Sequence, residues 1–178
     1  PTICWRGLDN LSYYRRTKDK ISRLYDTTGC GNTLDFTNTH VTMFAVDSLR
    51  YWAKRIGIDG FRFDLAATLA RLDGEFTRYH PFLYALRSDM LLGNLKMIME
   101  PWDCGPNGWR TGEFGIPFAE WNDRFRDCTR KFWLTDVDRT RGGEYGEMTM
   151  QDMATRLCGS SDLFATDPGR GSTASVNY

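Results

Sequence analysis

Three ionisable side chains stand where they could do chemistry. Arg62 and Asp64 lie in Gly57-Ile58-Asp59-Gly60-Phe61-Arg62-Phe63-Asp64-Leu65-Ala66, and Glu100 closes Leu95-Lys96-Met97-Ile98-Met99-Glu100. The first stretch is short and has a period of two, which predicts a strand over 58–65. Ile58, Gly60, Arg62 and Asp64 share one face, and Asp59, Phe61, Phe63 and Leu65 share the other. An Arg and an Asp on a core face each need a partner. They are therefore either a structural ion pair at a strand end or part of a site. The second stretch reads as a mostly apolar strand over 95–100, stopped by Pro101. Each strand ends in a carboxylate, at the edge where parallel α/β architectures bind ligands. Adjacent parallel strands lie about 4.8 Å apart. Matching carboxyl groups on neighbouring strands would sit about 5–5.5 Å apart, the spacing of nucleophile and acid/base in a retaining glycosidase. Arg62 favours an ionised Asp64, suited to the nucleophile. Met99, Pro101 and Trp102 flank Glu100, and such apolar surroundings suit a proton donor. The plainer alternatives are that Glu100 caps the next element and that Trp102 and Trp109 pack under a loop.

The elements that must position these groups follow from pattern. Val41, Phe44, Ala45, Leu49 and Trp52 recur at helical spacing, which predicts a helix over 41–55 with Thr39 as its cap and Gly57 as its stop. A second helix is expected from about Gly74 to Ser88, interrupted by Pro81. Helix, strand, helix, strand implies parallel strands joined by right-handed crossovers. Residues 1–40 read as loop, with turn-rich Trp5-Arg6-Gly7-Leu8-Asp9-Asn10 and Thr28-Gly29-Cys30-Gly31-Asn32. Residues 101–117 and 135–147 read as loops as well. Phe118 to Trp121 suggests a short strand, Asn122 or Asp123 caps a helix to about Leu134, and Met150 to Leu157 is a short helix before a turn at 159–162.

Composition narrows the functional classes. The 178 residues suffice for one domain with a core, and Lys plus Arg balance Asp plus Glu at 23 each. No basic stripe points to nucleic acid, and no apolar run approaches the roughly 20 residues that span a bilayer. Cys4, Cys30, Cys104, Cys128 and Cys158 are widely spaced without a C-x-x-C, which fits reduced thiols and a cytoplasmic location. His40 and His80 are the only histidines and have no cysteine at metal-ligand spacing, so a zinc site is not expected.

Gly60-Phe61-Arg62-Phe63-Asp64-Leu65-Ala66 and Ile98-Met99-Glu100-Pro101-Trp102-Asp103 closely resemble two motif stretches of the α-amylase superfamily of glycoside hydrolases, in the right order and separation. Trp5-Arg6-Gly7-Leu8-Asp9-Asn10 with Tyr13-Tyr14, Thr28-Gly29-Cys30-Gly31-Asn32-Thr33, Ala119-Glu120-Trp121-Asn122-Asp123-Arg124-Phe125-Arg126-Asp127 and Gly159-Ser160-Ser161-Asp162-Leu163-Phe164 are similar to its isoamylase and bacterial glycogen-debranching branch. The resemblance implies an α/β fold, a fragment of a (β/α)8 TIM barrel over 1–178. Residues 1–40 would be a loop region after strand three, and 41–178 would hold strands four to the start of seven. It implies hydrolysis of α-1,6 linkages in a branched α-glucan such as glycogen or amylopectin, without a cofactor. A glucanotransferase of the same superfamily and a non-catalytic glucan-binding relative are the alternatives. Asp64 would be the nucleophile, Glu100 the acid/base, Arg62 the group that orients Asp64, and Trp102 and Asp103 substrate-binding, with Tyr13, Tyr14 and Asn32 as further lining positions. Members of the branch also carry a catalytic Asp preceded by His after strand seven, and an Asn-His stretch ending strand three. Neither falls within this chain, so the polypeptide alone is expected to be inactive and prone to associate.

Overall fold

The computed structural model describes residues 2–140 and 148–164. The chain divides into two compact units, 1–119 and 120–178.

The first unit opens with helix α1 (Thr2–Tyr13), kinked at Asp9, where the sequence pattern suggests loop. Its turn-rich composition hides a helix broken in the middle. Asp9 leaves helical geometry, and its carboxylate accepts from the Ser12 N–H at 3.2 Å. Helix α2 (Thr39–Tyr51) follows, capped by Asn38 rather than Thr39; the Asn38 side chain accepts from the His40 N–H. A wider turn, Trp52–Ile56, extends it to Gly57 at φ 81, the left-handed stop that glycine supplies. The strand expected over 58–65 is shorter, β1 (Gly60–Phe63).

The helix expected from Gly74 does not form. A tight turn at Asp73 and Gly74, both at positive φ, joins β2 (Arg71–Leu72) to β3 (Glu75–Phe76) as an antiparallel hairpin. Helix α3 (Pro81–Ser88) starts only at the proline, which fits the first helical turn because it needs no N–H there. Phe82, Leu83 and Leu86 of α3 are buried. Each buried side chain of this size contributes about 1.5–3 kcal/mol. Strand β4 (Lys96–Met99) lies parallel to β1, and β5 (Ala119–Glu120) completes the order β1-β4-β5. The core gathers Phe63 of β1, Met97 and Met99 of β4, Ala66, Ala67 and Ala70 after β1, the α3 face, and Phe36, Phe114 and Phe118. This is a mixed α/β unit built on a parallel strand pair.

The second unit is helical. Helix α4 (Asp123–Thr140) runs further than the expected end near Leu134. The Asn122 side chain accepts from the Phe125 N–H at 2.9 Å at its start. Helix α5 (Met150–Leu157) begins with a reciprocal capping box between Thr149 and Asp152. Helix α6 (Ser161–Phe164) occupies part of the expected turn, and Arg156 reaches Asp162 at 2.5 Å. Of the loop expected over 135–147, residues 135–140 continue α4 and 141–147 lie outside the described residues, as do 168–178.

Candidate active site

The β1–β4 register pairs Arg62 with Ile98 and Phe63 with Met99. Carried one residue further, it sets Asp64 beside Glu100, and the Glu100 N–H donates to the Phe63 carbonyl at 3.1 Å. Gly60 allows the two strands to approach. A Cβ there would lie 2.4 Å from the Lys96 carbonyl oxygen and 2.7 Å from the Lys96 Cβ.

Arg62 then bridges the two acids. Its Nη1 donates to Asp64 Oδ1 at 2.5 Å and its Nη2 to Glu100 Oε1 at 2.7 Å. One planar guanidinium touches both carboxylates, so they share a rim of the sheet and lie within two hydrogen bonds and the width of that group. Glu100 Oε2 accepts the Leu65 N–H at 2.7 Å, and the Glu100 carbonyl accepts the Ala66 N–H at 2.9 Å. Leu65 makes this possible by taking a left-handed conformation, φ 44 and ψ 50. For a side chain of that kind the conformation costs about 1–3 kcal/mol. The Asp64 side chain is 73 % exposed and that of Glu100 only 9 %. An open carboxylate therefore stands next to a sheltered one. The apolar surroundings expected for Glu100 are not what it meets: it is sheltered, yet both oxygens are bonded, one to a cation and one to a backbone N–H.

Trp102 is half-buried and its ring lies 4.9 Å from that of exposed Trp109, tilted by 35°. The two rings flank a tight turn, closed where the Asp103 N–H donates to the Gly108 carbonyl at 3.2 Å. Asp103 itself does not face solvent. Its side chain is 0 % exposed and paired with Arg71, also 0 % exposed, through Nε to Oδ2 at 2.6 Å and Nη2 to Oδ1 at 2.7 Å. Hydrogen bonding to Asp103 holds the Arg71 guanidinium above its ordinary pKa.

Of the other expected lining positions, Tyr14 and Asn32 are buried. Tyr14 bridges to Leu34, and the Asn32 amide donates to the Cys30 carbonyl at 3.2 Å. Tyr13 stacks on Trp5 at 5.7 Å and helps line an apolar cavity of about 250 Å³ with Phe36, Phe44 and Phe63. That cavity is lined mainly by apolar side chains, with Tyr13 and Ser48 the hydroxyl-bearing exceptions. Buried His80 caps α3, its Nδ1 accepting the Phe82 N–H at 3.1 Å. Burial, with Arg15 nearby, pushes its pKa down to about 4. Among the described residues no group of three or more His, Cys, Asp or Glu is placed to hold a metal ion.

Two contributors escape sequence reasoning. Leu65 carries no signal, because a leucine in a left-handed turn looks like any other leucine. Arg71 does carry one: it closes the apolar run Leu65-Ala66-Ala67-Thr68-Leu69-Ala70, where a cation needs a buried partner.

No family model matches the chain. Over 178 residues it is 44 % identical to a glycogen debranching enzyme of Erwinia tasmaniensis, covering 100 % of this chain and 25 % of that protein. Over 177 residues it is 44 % identical to the glycogen debranching enzyme of Klebsiella pneumoniae subsp. pneumoniae, covering 99 % of this chain and 25 % of that one. Among solved structures it is similar to the pullulanase of Anoxybacillus sp. LM18-11 complexed with maltotetraose, at a TM-score of 0.59 and 26 % identity, covering 85 % of this chain and 22 % of that one. The chain is a homologue of glycogen debranching enzymes, in keeping with its resemblance to the debranching branch of the α-amylase superfamily, and spans about a quarter of the length of those relatives.

Proposed function

We propose that this chain carries the nucleophile and the acid/base of a retaining glycosidase that opens α-1,6 branch linkages in an α-glucan. The observation that carries the reading is Arg62 bonded at once to Asp64 and Glu100, at 2.5 Å and 2.7 Å. Such a bridge suits two carboxylates that must meet across one glycosidic bond. On this reading the parallel pair β1 and β4 belongs to a (β/α)8 barrel, as its fourth and fifth strands.

In the first half-reaction an Asp64 oxygen bonds to the anomeric carbon as the bond to the bridging oxygen breaks. Glu100 gives its proton to that oxygen, and the branch acceptor leaves as an alcohol. In the second, Glu100 takes a proton from water, whose oxygen displaces Asp64 from the anomeric carbon. Two inversions leave the configuration retained. The exposure of Asp64 supports its role: the attacking oxygen must reach a sugar from solvent. Arg62 must release or share its hold on Asp64 as the new bond forms, and its charge remains to stabilise Glu100 when that residue is ionised. Exposed Trp109, its ring tilted against that of Trp102, offers a flat apolar surface for a pyranose ring.

The test is made in the full natural polypeptide that carries this segment, with a branched α-glucan. Asp64→Ala is expected to lower kcat by more than about four orders of magnitude, and Glu100→Gln by about two to four. Hydrolysis yields free linear oligosaccharides of retained anomeric configuration. Unchanged debranching by Asp64→Ala removes it from the mechanism, and rearranged branches in place of free oligosaccharides identify a transferase.

A further inference from the structure

Asp103 lies three residues after Glu100, and Arg71 lies seven after Asp64. Their pairing ties the segment leaving one carboxylate to the segment leaving the other. Arg71 spends its remaining donors in the same place: Nη1 donates to the Gly74 carbonyl and Nη2 to the Pro106 carbonyl at 2.8 Å. Its own carbonyl accepts from Arg15. Asp103 Oδ1 also accepts the Gly105 N–H at 2.9 Å, and the Cys104 N–H donates to the Thr27 carbonyl at 2.8 Å. The turn is packed against this pair without spare room. A Cβ on Gly105 would lie 3.0 Å from Arg71 Nη2, and one on Gly108 would lie 2.3 Å from the Asp103 carbonyl oxygen.

The connection continues to the site. The Trp102 N–H donates to the Glu100 carbonyl at 2.9 Å, and the Arg110 N–H to the Pro101 carbonyl at 2.7 Å. Trp102 and Trp109 stand at the two ends of the pinned turn.

We propose that the buried Arg71–Asp103 pair is a positioning device that holds Glu100 and the Trp102–Trp109 rings in working register with Asp64, and that Asp103 therefore acts through Arg71 and not on the sugar. This rests on the glycosidase reading for its effect on rate, while the effect on the turn is independent of it. A bidentate guanidinium fork fixes angle as well as distance. A lysine keeps the charge but makes a single-point contact and cannot serve Asp103, Gly74 and Pro106 together.

The experiment uses the full natural polypeptide. Backbone amide exchange in the unaltered protein is expected to show Asp103, Cys104, Gly105 and Arg110 protected, although none lies in a helix or strand; rapid exchange there overturns the proposal. In Arg71→Lys, protection of 103–110 is expected to fall while that of β1 and β4 is kept. Per folded molecule, kcat on a branched glucan is expected to drop about 10-fold to 100-fold, and the alkaline limb of its pH profile, which the general acid sets, to move. A purely structural role would lower only the folded fraction, and an unchanged kcat and pH profile per folded molecule overturns the proposal. If Arg71→Lys does not fold, Arg71→Met with Asp103→Leu removes both charges and restores apolar packing. That double variant is expected to fold with the same loss of kcat and of turn protection; if it keeps both, the pair positions nothing. Absence of glycosidase activity in the unaltered protein defeats the functional reading alone and leaves the exchange data to judge the pair.

Discussion

Arg62 is the residue on which the site balances. It is one-third exposed and donates to an open Asp64 and a sheltered Glu100. Replacing it by leucine strands Glu100 beside an apolar side chain and frees Asp64 to rotate. On the proposed mechanism Arg62→Leu is expected to lower kcat by about two to three orders of magnitude with a smaller change in KM, comparable to losing a preorganised electrostatic group. Arg62→Lys reaches only one carboxylate at a time and should recover part of the loss. Steady-state kinetics on a branched glucan checks this, and equal kcat in Arg62→Leu and the unaltered protein contradicts it. Arg62, Asp64 and Glu100 are all legible in the sequence, because ionisable residues at strand ends are conspicuous. The environment of Glu100 is not legible. It depends on the Leu65 N–H, and so on a left-handed leucine that nothing in the local pattern announces. Asp103, which the family resemblance places among the substrate-binding positions, has its side chain turned inward to an arginine 32 residues earlier.

Among the elements, β1 and β4 are legible because period and apolar run agree, and only their ends move. The β2–β3 hairpin is missed because two-residue strands are too short to show a period, and the positive φ of Asp73 is decided by the turn it closes. Helix α1 is missed for a related reason: its break at Asp9 interrupts the helical spacing. Helix α3 carries a pH prediction. His80 caps it in the neutral form, with Nδ1 as acceptor, and its Nε2 has no partner among the described residues. Arg15 and Asp35 are the charged groups that act on it. Its pKa is about 4 in the folded chain against 6.5 when unfolded, so the unfolded chain binds the proton first as pH falls. The stabilisation is full above pH 6.5 and drains away down to about pH 4, by up to about 3 kcal/mol. Amide exchange over Pro81–Ser88 should accelerate, relative to the intrinsic rate, as pH is lowered through that window. His80→Asn keeps a capping acceptor but cannot be protonated there, and should flatten the dependence. Equal pH dependence in the two proteins contradicts the assignment.

At the scale of the whole molecule, the chain is homologous to a quarter of the length of glycogen debranching enzymes and is divided into an α/β unit that holds the three candidate residues Arg62, Asp64 and Glu100 and a helical unit. Positive and negative side chains balance at 23 each. Among the described residues no helix is long and apolar enough to cross a membrane. The Gly- and Pro-rich stretch 101–117 runs up to the boundary at Ala119 and Glu120, but composition alone does not tell a boundary from a loop within one unit. The central claim is that Asp64 forms a covalent bond to the anomeric carbon. The most direct measurement is mass spectrometry of the peptide containing Asp64, taken from the full natural polypeptide after reaction with a fluorinated glucosyl fluoride that forms the intermediate quickly and hydrolyses slowly. The account predicts one glycosyl adduct on Asp64, accumulating as activity is lost. An adduct on any other side chain, or inactivation with Asp64 unmodified, would contradict it.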